Sequence, residues 1–192
     1  MTYFFQFLFI ALLASMNYLI AMRFKGILAT IRLSQPIQLS DQPAERWKRV
    51  FLLAFGQKKM FRNPLVAILH LFVYVGFIII NIELLEIIVD GIAGTHRIFK
   101  PYLGSFYDIL INSFEILALL VLVACVIFFA RRNIVKLKRF NNKDLNGWPK
   151  SDANAILIIE IVLMSLFLTM NATDVPFQEA GIGNVISQFI AP

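Results

Sequence analysis

Residues 64–89 read PLVAILHLFVYVGFIIINIELLEIIV. As a helix, this run is long enough to cross the roughly 30 Å hydrocarbon layer of a bilayer. Yet it holds His70, Asn81, Glu83 and Glu86, and an ionisable group in hydrocarbon is costly unless paired or hydrated. It therefore reads as the working helix of a membrane protein. At about 100° per residue, His70, Tyr74, Phe77 and Asn81 share one stripe, while Glu83, Glu86 and Asp90 lie on roughly the opposite face.

Outward from this run, three more apolar stretches have the same character, so spans are drawn at about residues 3–22, 65–89, 110–130 and 153–170. A soluble domain of this size does not carry several such runs. The residues left over are too few for a separate soluble domain of ordinary size. The predicted fold class is all-α integral membrane, with four transmembrane helices and an interfacial amphipathic helix. Residues 1–192 are expected to form a single membrane domain.

The formal charge of +6 does not indicate a nucleic-acid surface, because of where the 18 Lys and Arg stand. Nine fall in residues 23–63 and seven in residues 131–152, whereas residues 90–106 hold only Arg97 and Lys100. That is the positive-inside pattern. It places the first and third connections in the cytoplasm, and both termini and the second connection outside. No basic segment precedes the first apolar run, so an uncleaved anchor is expected rather than a signal peptide. The single cysteine, Cys125, builds no disulfide framework and supplies too few thiolates for zinc or an iron–sulfur cluster.

Residues 42–62 repeat Trp47, Val50, Phe51 and Ala54 at helical spacing, with Arg46, Arg49, Gln57 and Lys58 on other faces. Two readings stay open: a helix lying in the inner interface beside anionic headgroups, or a docking platform for a cytoplasmic partner. Residues 33–43 read as an irregular connector, residues 90–106 as a turn-rich loop, and residues 185–190 as a short apolar end.

His70 stands about two turns inside the span. A neutral imidazole there can ligate haem iron, with Phe72, Tyr74 and Phe77 as flat walls, or can bond to a neighbouring helix. The other histidine, His96, lies roughly 27 Å further along at 1.5 Å per residue, so the two cannot hold one iron. Glu83, Glu86 and Glu115, with Asn112, Asn171 and Asp174, gather toward the other end of the spans. They can accept protons from a quinol or line an ion path; alternatively Glu83, Glu86 and Asp90 are solvated and pair with Arg97 or Lys100. Glu160 sits in the middle of the fourth span and should face a partner helix.

The run GQKKMFRNPLVAILHLFVYVGFIIINIELLEIIVDGIAGTHRIF, followed by a span ending FFARRNIVKLKRF, resembles a family of bacterial membrane proteins. These are the cytochrome b-like membrane modules of heterodisulfide-reductase-type iron–sulfur oxidoreductases, related to the nitrate reductase gamma subunit. The resemblance covers most of residues 51–172 and is carried best by His70, Gly76, Phe77 and the Arg131-Arg132 pair. It implies a multi-pass subunit of the bacterial inner membrane that passes electrons between the quinone pool and a cytoplasmic iron–sulfur protein or fused domain. It further implies haem b, one or two, with His70 an axial ligand on the cytoplasmic side and His96 a candidate for the outer haem. Iron–sulfur clusters would lie only in the partner or in a missing domain. The family's partner histidines lie on a fifth span, which this chain lacks before Pro192; the resemblance therefore implies that residues 1–192 are the N-terminal part of a five-span bundle in a longer protein, the alternative being a four-span subunit without the module's usual ligation. Two other readings stand beside this one: a cofactor-free membrane anchor or accessory subunit, and an ion or proton channel component.

Overall fold

The computed structural model describes residues 2–34, 41–56, 63–135, 147–180 and 184–191. Residues 57–62 of the expected interfacial helix lie outside the described residues. So do residues 136–146 of the third connection, most of the connector (35–40) and residues 181–183. The described residues form helices and no strand: α1 (Thr2–Arg32), α2 (Pro43–Val50), α3 (Pro64–Ala93), α4 (Lys100–Leu103), α5 (Ser105–Asn133), α6 (Trp148–Thr173) and α7 (Val175–Ala180). A π-helical turn, Phe51–Phe55, continues α2, and a 3₁₀ turn, Ser187–Phe189, follows α7.

Four of these helices, α1, α3, α5 and α6, are long and apolar enough to cross a membrane. The fold is thus all-α, with the four spans expected. Each helix outruns its apolar stretch, because helical hydrogen bonds, once begun, continue cheaply into the interface. The 31 residues of α1 extend about 46 Å, and its surplus carries Arg23, Lys25 and Arg32.

The chain divides into two compact units. One contains α1, α2 with its π turn, and the end of α3 with the loop that follows. Here Gln6 Nε2 donates to the Ile92 carbonyl. The α3 helix stops at Gly94, whose φ of 70° is a conformation glycine adopts without penalty. Beyond it the Asp90 carboxylate organises the loop, accepting from Thr95 Oγ1 at 2.5 Å, Arg97 N at 2.6 Å and Ile98 N at 3.2 Å.

The other unit holds residues 63–85 of α3 together with α4 to α7 and the 3₁₀ turn. Its core is a seam on α5, where Tyr107, Ile111, Phe114, Ala118, Val121 and Cys125 are buried at alternating spacings of four and three. That heptad spacing keeps one stripe facing a partner helix. Met164, Phe167 and Leu168 of α6 complete the core, with Phe177 of α7. Lipid is as apolar as these side chains, so close packing rather than the hydrophobic effect holds such helices together. Gly76 of α3 shows how close: a Cβ there would run into Val121 Cγ2.

Candidate functional site

Two polar sites lie in this second unit, at opposite ends of α5. At the basic end, α3, α5 and α6 enclose a half-open cleft of about 310 Å³. Its lining is apolar at Val66, Phe128, Ala153, Ile156 and Leu157, and polar at His70, Arg131 and Arg132. The His70 ring is half-buried, and its Nδ1 is buried without a hydrogen-bond partner among the described residues. Each helix contributes for a local reason. The α3 helix brings His70 one turn beyond Val66 on the same face. The α5 helix ends in Arg131 and Arg132, which suit the negative end of its macrodipole. Just past the cleft, Asn133 Nδ2 donates to Asn154 Oδ1 at 3.3 Å, and Asn154 Nδ2 donates back to Asn133 Oδ1 at 3.0 Å. This reciprocal pair ties α5 to α6 beside the cleft mouth.

At the opposite end, Glu115 is fully buried and its carboxylate is engaged on both sides. Oε1 accepts from Asn171 Nδ2 at 3.1 Å. Oε2 accepts from the backbone N–H of Ile186 at 2.8 Å and of Ser187 at 3.1 Å. Gln178 extends the network, its Nε2 donating to the Asn171 carbonyl at 2.9 Å and to Ser187 Oγ at 2.8 Å. Asn184 Nδ2 donates to Gln178 Oε1 at 2.9 Å. The segment after α7 is thereby fastened to α5 and α6 through polar groups, although its sequence reads as a short apolar end.

The structure sorts the residues singled out in the sequence. His70 and the two arginines share the cleft. Tyr74 is half-buried and is not among the cleft's lining residues; Phe77 is 66% exposed and points away from the packed face. The aromatic residue among those that line the cleft is Phe128, at the start of the FFARR run. His96 is exposed, in the Asp90-organised loop after α3. Glu83 and Glu86 are buried on α3 at 3% and 4% exposure. Asn112 donates to its own helix, at Asp108 O, and Asp174 caps α7 by accepting from Phe177 N at 3.3 Å. Glu160 is half-buried on α6. Asn133, Asn154, Gln178, Asn184 and Ser187 escaped the sequence reading; the two asparagines carried a usable signal, being polar residues at facing ends of consecutive spans.

Comparison with known proteins finds two relevant relatives. Over 175 residues, 91% of the chain, it is 30% identical to the "Probable iron-sulfur-binding oxidoreductase FadF" of Bacillus subtilis (strain 168). Over 135 residues, 69% of the chain, it is 27% identical to the "EtfAB:quinone oxidoreductase" of Syntrophomonas wolfei. The matched stretches are 23% and 17% of those proteins, so the chain spans less than a quarter of the curated relatives it matches. No family model matches, and no solved structure does. The similarity is therefore to proteins named as iron–sulfur and quinone oxidoreductases.

Proposed function

We propose that this chain is the membrane module of a bacterial inner-membrane electron-transfer protein, carrying electrons between the quinone pool and a cytoplasmic iron–sulfur oxidoreductase. The observation that carries the reading is the cleft, where a half-buried imidazole meets apolar walls beside two guanidinium groups. The donor set fits haem b: one imidazole for the iron, apolar walls for the ring, and Arg131 and Arg132 for the carboxylates at its edge. Among the described residues no three His, Cys, Asp or Glu converge to hold an ion; a porphyrin brings four nitrogens of its own, so a single protein ligand already makes a start. Bound haem would supply one-electron chemistry at this depth. The chain's own part is to orient His70, keep water from the apolar wall and offset negative charge at the mouth. The second ligand would come from a further span, and His96 would serve only an outer group.

Toward the other end, buried Glu83 and Glu86 are the side chains proposed to take protons from quinol. Glu115 is given a different role here, holding the segment after α7, because both its oxygens are already engaged. The names of the two relatives support an iron–sulfur partner and a quinone substrate.

The test is a reduced-minus-oxidised visible spectrum of the purified full-length protein. A b-type band that His70→Ala abolishes is the expected result; a haem-free protein with His70 intact removes the reading's centre. For the acidic pair, Glu83→Gln should lower quinol oxidation about a hundredfold, the size of a lost proton-transfer group, with the b-type band unchanged. Unaltered turnover would reassign that carboxylate to packing.

A further inference from the structure

The helix Pro43–Val50 and the π turn Phe51–Phe55 belong to neither polar site. Along one side run Trp47, Phe51 and Phe55, with centroids 6.2 Å apart for the first pair and 5.5 Å for the second. These rings are 63%, 58% and 58% exposed, and α2 contains no buried residue at all. In an uninterrupted α-helix, rings four residues apart drift steadily around the axis. The wider π turn, closed by the 2.7 Å bond from Gly56 N to Phe51 O, rotates less per residue and brings Phe55 back over Phe51. Three aromatic rings are thus kept on one line. The other side of α2 carries Arg46, Lys48 and Arg49 against the single carboxylate of Glu45, which pairs with Lys48 at 3.3 Å. The π turn that follows, FLLAF, has no polar side chain on any face.

We infer that Pro43–Phe55 is an anchor for an anionic lipid surface, with the Trp47–Phe51–Phe55 line sunk among the headgroups and the cations meeting lipid phosphates. Three features favour lipid over a protein partner. The charge excess is positive, and anionic headgroups complement it. Tryptophan and its stacked neighbours suit the interface between water and acyl chains. The segment is also tethered on both sides to spans, since eight residues separate Phe55 from Pro64 and ten separate Arg32 from Pro43. Fully extended, the shorter tether reaches only about 30 Å, so the helix never leaves the neighbourhood of the bilayer. The turn with no polar face is the part that enters most deeply.

The experiment uses the full-length protein with every tryptophan other than Trp47 replaced, reconstituted into phosphatidylcholine vesicles with or without phosphatidylglycerol. Brominated lipids then report the depth of Trp47 by quenching. Strong quenching by shallow bromines in the phosphatidylglycerol vesicles, weaker in phosphatidylcholine alone, is expected. Neutralising Lys48 and Arg49 to glutamine should lower the bound-to-free ratio of the helix about five-fold for each cation removed. If that variant inserts poorly, raising the salt on the unaltered protein reads the same electrostatic dependence, because exposed charges are screened. Quenching that is identical in both lipids overturns the inference. So does a Trp47 signal that ignores lipid and shifts only when a soluble protein is added, which would make the segment a docking platform instead.

Discussion

Glu115 and His70 are opposite solutions to the same problem, a polar side chain held where water is scarce. Glu115 has spent its capacity, three donors meeting its two oxygens, whereas His70 keeps a buried nitrogen in reserve. The first pattern is that of a side chain committed to the fold. Replacing Glu115 by alanine would strand the Ile186 and Ser187 N–H groups and the Asn171 amide, at about 1–3 kcal/mol for each group that stays buried. Glu115→Ala should therefore speed hydrogen exchange at the Ile186 and Ser187 amides, with Glu115→Gln intermediate because one acceptor oxygen survives. Exchange that is the same in all three proteins would mean the segment is held by something other than this carboxylate. Legibility differs between the two residues. An imidazole in an apolar run stands out in the sequence, but nothing near Glu115 in the chain announces that its donors come from 71 and 72 residues further on.

Among the elements, the contact of α3 with α5 depends on a missing side chain. Gly76 lets Val121 approach to a distance that any Cβ would forbid, and overpacking of this kind costs about 1–3 kcal/mol. Gly76→Val should lower the thermal unfolding temperature of the protein in detergent. Adding Val121→Ala should restore much of the loss, since the two positions share one contact and their effects are not additive. A double variant no more stable than Gly76→Val alone would place the strain elsewhere. The seam on α5 could be foreseen in outline, because Tyr107, Ile111, Phe114, Ala118, Val121 and Cys125 repeat at spacings of four and three. Which of several apolar stripes faces protein and which faces lipid could not. In a span hydrophobic all round, as α5 is across its middle, periodicity no longer marks the inside.

For the whole molecule, the uneven placement of Lys and Arg sets the expected orientation. In a Cys125→Ser background, Thr95→Cys should react with a membrane-impermeant thiol reagent added outside intact cells, and Lys150→Cys only after the membrane is opened. The reverse pattern would turn the protein over and move the His70 cleft to the outer side. It would then be out of reach of any cytoplasmic iron–sulfur partner, so this labelling tests the electron path as well as the topology.

Taken alone, the sequence determined that four helices are long and apolar enough to cross a membrane, where their basic ends lie, and that His70 is the histidine to ask about. Chain length against bilayer thickness and the cost of charge in lipid are local properties, legible residue by residue. Only the tertiary structure decided that Phe128, Arg131 and Arg132 share a cleft with His70, that Phe77 does not line it, and that Glu115 clasps a segment far along the chain. Those choices rest on which helix faces meet, and between apolar helices they are made by the fit of individual side chains, which no single helix carries in its own pattern.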